Sequence, residues 1–259
     1  MIDCHVHIER GEYSLASISE FVKVAVVEGL DEIWLLEHCY RFREFVPMYG
    51  GVCAYSDYID KWFHRKAGVL ALGDYLRLVE LVCGWEWPVK IKFGLEICYF
   101  EEFEELVCRE TKNAGLDFLV GSVHFVDDFA FDHKAEHWAG VDVDAVYRRY
   151  FETSIRLAQS GLYTGIAHPD VIKLFGYTPS FSLEKAYCDL AAALAKNDMY
   201  AEQNSGAYRR GPKTAGLGME EGLLDELKKN GVNIRTASDA HCPTEVGAQI
   251  KAMQAIINP

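Results

Sequence analysis

Residues 1–7 read Met1-Ile2-Asp3-Cys4-His5-Val6-His7, an apolar run that carries two histidines one residue apart. The stretch fits two descriptions: a first strand that happens to contain histidine, or the first piece of a metal site. The pair alone does not choose between them. The choice rests on whether later segments deliver more ligands to the same place.

Downstream, apolar β-rich runs alternate with amphipathic helical ones. A Ser17-x-x-Glu20 capping box opens a helix that ends at Gly29, and residues 31–38, DEIWLLEH, read as a second strand. An aromatic-rich segment and a helix over 72–85 precede strand 3 at 89–100, VKIKFGLEICYF. A helix within 101–115, with acids in its first turn where the helix dipole favours them, leads to strand 4 at 116–125. Helix 142–161, strand 163–170, helix 182–197 and strand 199–205 follow, then helix 219–231, strand 232–241 and a last helix over 245–256. Seven strand–helix units in series imply a parallel sheet, open or closed.

The strand ends decide for closure. His5 and His7 end strand 1, Glu37 and His38 strand 2, and Glu96 lies late in strand 3. His124, His168, Glu202 with Asn204, and Asp239 with His241 end strands 4 to 7. A barrel brings all these ends to one C-terminal rim, where such folds keep their active sites, whereas an open sheet would spread them along a line. The fold class is therefore α/β, one barrel over residues 1–259, and His5 and His7 are read as ligands.

Composition agrees with one domain: the 259 residues contain no linker, repeat or low-complexity tract. The net charge, 26 − 39 = −13, excludes nucleic acid as the main partner. It leaves room for a small anionic substrate, because metal ions can reverse the sign inside one pocket. Apolar runs fall far short of the roughly 20 residues a membrane span needs, and the N-terminus does not read as a signal peptide. Eight cysteines without a C-x-x-C pair read as reduced, buried thiols of a cytoplasmic protein.

Imidazoles with carboxylates suit Zn, Fe or Mn. So many ligands imply two or three divalent ions, and multi-metal sites typically clamp the attacking and leaving oxygens of a phosphoryl group. A phosphate also needs basic partners. Arg41 and Arg43 follow His38, and Arg209 and Arg210 in GAYRRG follow strand 6 beside Asn204; an arginine fork suits phosphate. His133 and His137, spaced i, i+4 in a polar connection, read as a solvated face, and His64 as surface. Tyr40, Phe42 and Phe45 read as a packed lid. A Gly-rich phosphate loop is absent from the sequence.

The ordered set His5-x-His7, Glu37-His38, Glu96, His124, His168-Pro169 and Ser238-Asp239-Ala240-His241 resembles the polymerase and histidinol phosphatase (PHP) family over nearly the whole chain. Chain length and the Glu-His form of the second motif are similar to its histidinol-phosphatase branch. The resemblance implies a distorted (β/α)7 TIM-like barrel with a trinuclear metal centre. In it, His5, His7, Glu96 and Asp239 would hold one ion, His38 and His241 a second, and His124 with His168 a third, Glu96 bridging. Relatives place a further His or Asp soon after the second histidine. Here IERGEYS (residues 8–14) offers Glu9, Glu12 or Tyr13, and Glu12 is the expected ligand.

The implied activity is hydrolysis of a small phosphorylated metabolite, histidinol phosphate above all, by in-line attack of metal-activated water. Glu96 and Asp239 would be essential, Asp170 would protonate the leaving group, and Arg209 would turn inward to the equatorial oxygens. Three alternatives stand beside it. One is a broad phosphoesterase and another a non-catalytic metal-binding module. The third, an amidohydrolase, typically needs a lysine at the end of strand 4, and LDFLVGSVHF has none.

Overall fold

Seven parallel strands pair strictly in chain order in the computed structural model, which describes residues 1–212 and 215–258. They are β1 (Ile2–His7), β2 (Glu32–His38), β3 (Lys90–Cys98), β4 (Phe118–Ser122), β5 (Gly165–Ile166), β6 (Tyr200–Asn204) and β7 (Ile234–Ala237). The first strand also meets the last. The His7 N–H donates to the Ala240 carbonyl at 2.7 Å, and Val6 bridges Ala240 in parallel. The sheet therefore curls into a seven-stranded barrel, as the strand ends imply.

A buried carboxylate holds this seam. Asp3 Oδ1 accepts the Ser238 N–H at 2.8 Å and Oδ2 accepts the Gly247 N–H at 2.9 Å, where pairing of β1 with β2 is irregular between Asp3 and Val6. Its oxygens satisfy one amide donor just past β7 and one from the turn before α10.

Side chains alternate across each strand, and this period stratifies the barrel interior. Trp34 and Leu36 of β2, Phe118 and Val120 of β4 and Tyr200 of β6 form an apolar plug with Cys4, Ala167 and Ala237. Two residues further along the same strands lie His38, Ser122 and Glu202. In β3 the step runs from Gly94 to Glu96. A Cβ on Gly94 would lie 2.5 Å from the Phe118 carbonyl oxygen and 2.6 Å from its ring, so the plug closes only over a glycine. Apolar bulk fills the lower barrel and ligand-type groups gather above it.

Helices cover the outside: α1 (Leu15–Glu28), α2 (Gly50–Tyr55), α3 (Asp57–Lys66), α4 (Leu72–Cys83), α5 (Glu104–Thr111) and α6 (Val143–Gln159). α7 (Glu184–Lys196), α8 (Gly206–Arg210), α9 (Glu221–Lys229) and α10 (Ile250–Ile257) complete them. The cap of α1 is Ser14, whose hydroxyl accepts the Ser17 N–H at 3.2 Å. Ser17 itself lies inside the first turn, which corrects the expected capping box. Gly29 ends the helix in the left-handed region at φ 70°, as C-terminal glycines do. The short α2, α3 and α8 are additions to the expected pattern.

All eight cysteines are free, but only Cys4, Cys39 and Cys98 are buried; Cys83, Cys108 and Cys188 are exposed on helices, against the expectation of buried thiols. Among the described residues no helix is long and apolar enough to cross a membrane.

The seam carries a stability prediction. Asp3→Ala strands two buried N–H groups, each costing about 1–3 kcal/mol, so urea unfolding should show a loss of about 2–6 kcal/mol. An unchanged midpoint would mean that the barrel closes without this carboxylate.

Candidate metal centre

Glu96 is the hub of the rim. Its side chain is 1% exposed. Oε2 lies 2.9 Å from His38 Nδ1 and 3.4 Å from the Nε2 atoms of both His5 and His7; Oε1 lies 2.9 Å from His124 Nε2 and 3.2 Å from His168 Nε2. Asp239 Oδ1 completes the group, 3.3 Å from His241 Nε2 and 3.7 Å from His7 Nε2. One carboxylate thus gathers five imidazoles from four β segments.

The arrangement fits cations better than hydrogen bonds. His5 and His7 point Nε2 at Nε2 across 3.0 Å, while His5 Nδ1 is engaged by Glu202 Oε1 at 2.8 Å. An imidazole that donates through Nδ1 presents a lone pair at Nε2, which is a ligand's form. Glu96 Oε2, His7 Nδ1 and His168 Nδ1 are buried without a hydrogen-bond partner, a cost that bound ions would offset at the carboxylate. Three sets have ligand atoms mutually within 4.8 Å: His5, His7 and Glu96; His7, His38 and His241; Glu96, His124 and His168. Nitrogen and carboxylate donors in such triplets suit Zn, Fe or Mn.

Protonation agrees. Burial, with His38 and His241 crowding it, holds His7 well below the ordinary histidine range, so it is neutral. Burial works to raise the pKa of Glu96, but the charge of His38 and hydrogen bonds from His124 and His168 hold it well below the usual carboxylate range. Both groups are kept in the form that binds a cation.

Behind the imidazoles stands a ring of carboxylates. Glu202 holds His5, Asp132 Oδ2 holds His124 Nδ1 at 2.6 Å, and Glu9 Oε1 holds His241 Nδ1 at 2.8 Å. Such partners fix ring orientation and raise ligand basicity. Asp132 escaped the sequence reading, although it adjoins His133, and Glu9 was among the three candidates but was passed over for Glu12. The expected ligand Glu12 is exposed and lies outside the cluster; the chain turns after Ile8 and leaves Glu9 inside instead. Tyr13 faces inward too, donating to Glu37 Oε1 at 2.9 Å.

The backbone is strained at two of these positions. His168 at φ 29° and Asp239 at φ 56° occupy left-handed conformations, which cost non-glycine residues of the order of 1–3 kcal/mol each. Asn204 has a scaffolding place, accepting the Gly206 N–H at 2.7 Å and donating to Glu202 at 2.9 Å, which starts α8 beside Asp239. A Cβ on Gly206 would lie 2.2 Å from Asp239 Oδ2, so this approach requires glycine.

A cavity of about 360 Å³ opens over the cluster, with His38, Glu96, His124, His168, Asp239 and His241 on one side. Arg210 is the arginine that lines it, with Nη2 2.7 Å from Asp239 Oδ2 and Nη1 donating to the Asp239 carbonyl at 2.6 Å. Arg209, expected there, spends Nη2 on the Ser238 and Asp239 carbonyls at 3.0 and 3.1 Å and lies 3.5 Å from Glu245. The helical turn of α8 sends neighbouring side chains in different directions, and the cavity receives the second arginine.

The remaining expected contacts lie elsewhere. Arg41 sits behind the cluster, 3.3 Å from Glu37 and 3.8 Å from Glu9, and Arg43 is exposed. Asp170 accepts from Lys173 Nζ and the Glu220 N–H, both at 2.8 Å; this lysine-paired carboxylate does not line the cavity over the Glu96 cluster, which removes the reason to make it the acid. His133 corrects the opposite way. The segment expected to be a solvated face folds back, and His133 lines the cavity against Trp62 and Phe125. His137 packs edge-on to Tyr58, while His64 is exposed, as read.

With this geometry in place, comparison with known proteins is specific. A family model described as PHP domain matches residues 3–206. The histidinol-phosphatase of Bacillus subtilis is 24% identical over 275 aligned residues, covering 96% of this chain and 97% of that protein. The histidinol-phosphatase of Lactococcus lactis is 23% identical, covering 93% of this chain and 84% of its own length. A crystal structure of Lactococcus lactis histidinol phosphate phosphatase, complexed with zinc, L-histidinol and phosphate, superposes with a TM-score of 0.73 at 21% identity, over 99% of this chain and 92% of that one.

The hub predicts its own loss. Glu96→Gln keeps volume but removes the shared charge, and ligand-shell losses typically weaken metal affinity about 10–100-fold. Elemental analysis of the dialysed variant should find fewer ions per chain than wild type; full retention would remove Glu96 from the ligand set.

Proposed function

The chain belongs to the PHP domain family, and from that premise we propose that it is a metal-dependent phosphatase of small phosphate monoesters, with histidinol phosphate as substrate. The carrying observation is the buried carboxylate of Glu96 among five imidazoles at the floor of a cavity that also receives Arg210. The names of the relatives and the ligands of the Lactococcus lactis enzyme support the choice of ester.

In this reading three positions take divalent ions, Zn, Fe or Mn. His5, His7, Glu96 and Asp239 would hold one, His38 and His241 with His7 a second, and His124, His168 and Glu96 a third, in keeping with the three triplets. When bound, such ions polarise a phosphoryl oxygen and lower the pKa of water. The chain's residues do the rest. Glu9, Glu202 and Asp132 orient His241, His5 and His124. Arg210 presents a guanidinium at the cavity wall, where its fork meets phosphate oxygens and neutralises charge that develops in the transition state. Glu37, fully buried and pushed up to about 8 by burial, which outweighs the lowering pull of Arg41 and Tyr13, braces Arg41 behind Glu9 and stays out of the cavity. Histidinol phosphate as substrate sets the enzyme in histidine biosynthesis, in the cytoplasm.

Purified protein never exposed to chelator should carry two to three transition-metal ions per chain by the ligand count, and should release phosphate from histidinol phosphate until chelated. A stoichiometry near zero, or no release by fully loaded protein, would sink the reading. Arg210→Ala should lower kcat/KM by about 2–4 kcal/mol at unchanged metal content, whereas Arg43→Ala should leave it as it was. An unaffected Arg210→Ala would leave the ions alone in binding phosphate.

A further inference from the structure

The cavity has two unlike halves. Ligand-type groups make one, and the other is aromatic, built by α3 and by the segment after β4. α3 is fixed from beneath, because Ile59 and Phe63 are buried in the core and the Ser56 hydroxyl caps the helix at the Ile59 N–H. Residues 58 and 62 share a neighbouring stripe of the same helix, and both Tyr58 and Trp62 line the cavity. The Trp62 ring meets His133 edge-on at 4.8 Å and 84°, and Tyr40 at 5.2 Å. Tyr40 in turn stacks on His38 at 5.0 Å and 21°. A continuous lane of rings thus runs from the metal-side His38 through Tyr40 and Trp62 to His133.

This lane is not needed for a phosphoryl group, whose oxygens are served by the cluster and Arg210. It faces whatever hangs from the ester oxygen. A flat ring gains offset and edge contacts there, while a hydroxyl-rich chain would lose water against ring carbon without finding partners. The volume, about 360 Å³, lies at the small end of ligand pockets. We propose that Trp62 and Tyr58 select the organic half of the ester, seating a small flat aromatic ring against α3 and His133 and turning away alcohols that carry no ring. The proposal rests on the phosphatase reading of the same cavity, and it adds the residues that choose among esters.

Phosphonates test it without turnover, since their carbon–phosphorus bond resists hydrolysis. Titration calorimetry of the metal-loaded protein with benzylphosphonate and ethylphosphonate should show the benzyl compound binding about tenfold or more tighter. Trp62→Ala should bring that ratio toward one, Tyr58→Leu should lower it, and Trp62→Phe should keep most of it. Circular dichroism and metal content establish that each variant is folded and loaded, and Trp62→Phe serves where the alanine variant does not fold. Wild type with no benzyl preference, binding of neither compound, or a ratio unchanged in Trp62→Ala and Tyr58→Leu together would overturn the proposal. Phosphate release from histidinol phosphate by wild type judges the phosphatase reading separately. Selective benzylphosphonate binding without turnover would sink only that reading, and turnover without aromatic preference would sink only this one.

Discussion

Everything at the rim depends on one buried carboxylate placed among imidazoles. Removing the charge of Glu96 from water is costly unless opposite charge accompanies it. The histidines at its two oxygens hold it ionised even without metal, yet Oε2 is left without a hydrogen bond. The surroundings are consistent with that demand. His7 is kept neutral by burial and by its neighbours, which suits a ligand rather than a counter-ion. The rest of the barrel presents this arrangement: a plug of Trp34, Phe118 and Tyr200 below, a seam closed by Asp3, and seven strand ends that stop at one level.

Strain and outer-shell charge are distributed around the same point. His168 and Asp239 have left-handed backbones directly after β5 and β7, and Asn204 and Gly206 shape the approach of α8 to Asp239. Conformations of this kind persist where neighbouring contacts over-determine them. Three acids behind three histidines then fix ring orientation from outside, so the imidazoles are held by contacts that exist before any ion arrives. Preorganised ligands lose little further freedom on binding. The excess of acids over bases in the chain is partly explained here, since these carboxylates serve the interior of the rim and not its surface charge.

Strands and their polar ends were legible because they obey a local rule. Period-two alternation places Trp34, Leu36 and His38 on one face, and no distant information is needed to see it. Glu9 against Glu12, and Arg210 against Arg209, were not legible in this way. Both choices depend on the direction in which a turn leaves a strand, at Ile8 and at Ser205, and a one-residue difference reverses what points inward. Asp170 follows a strand end as the ligands do, but Lys173 one helical turn later draws it aside. His133 was hidden by a polar local sequence. Its burial comes from α3, whose residues lie far away in the chain, so neither segment alone discloses the contact.

This separation between strand ends and connecting segments has a chemical consequence. His7, His38 and Glu96 sit at positions fixed by hydrogen-bonded sheet register, where an error of one residue would turn the side chain to the opposite face, and His124, His168, Asp239 and His241 follow closely on the ends of β4, β5 and β7. The aromatic half sits on α3, within the long connection from β2 to α4, anchored by Ile59 and Phe63 but free of register. A change at Tyr58 or Trp62 alters what the cavity admits without moving Glu96, because no strand pairing passes through α3. In the proposed function, phosphoryl chemistry and choice of ester are therefore carried by different kinds of structure. The first tolerates little substitution because it is held by the sheet; the second can vary because it is held only by the packing of one helix face.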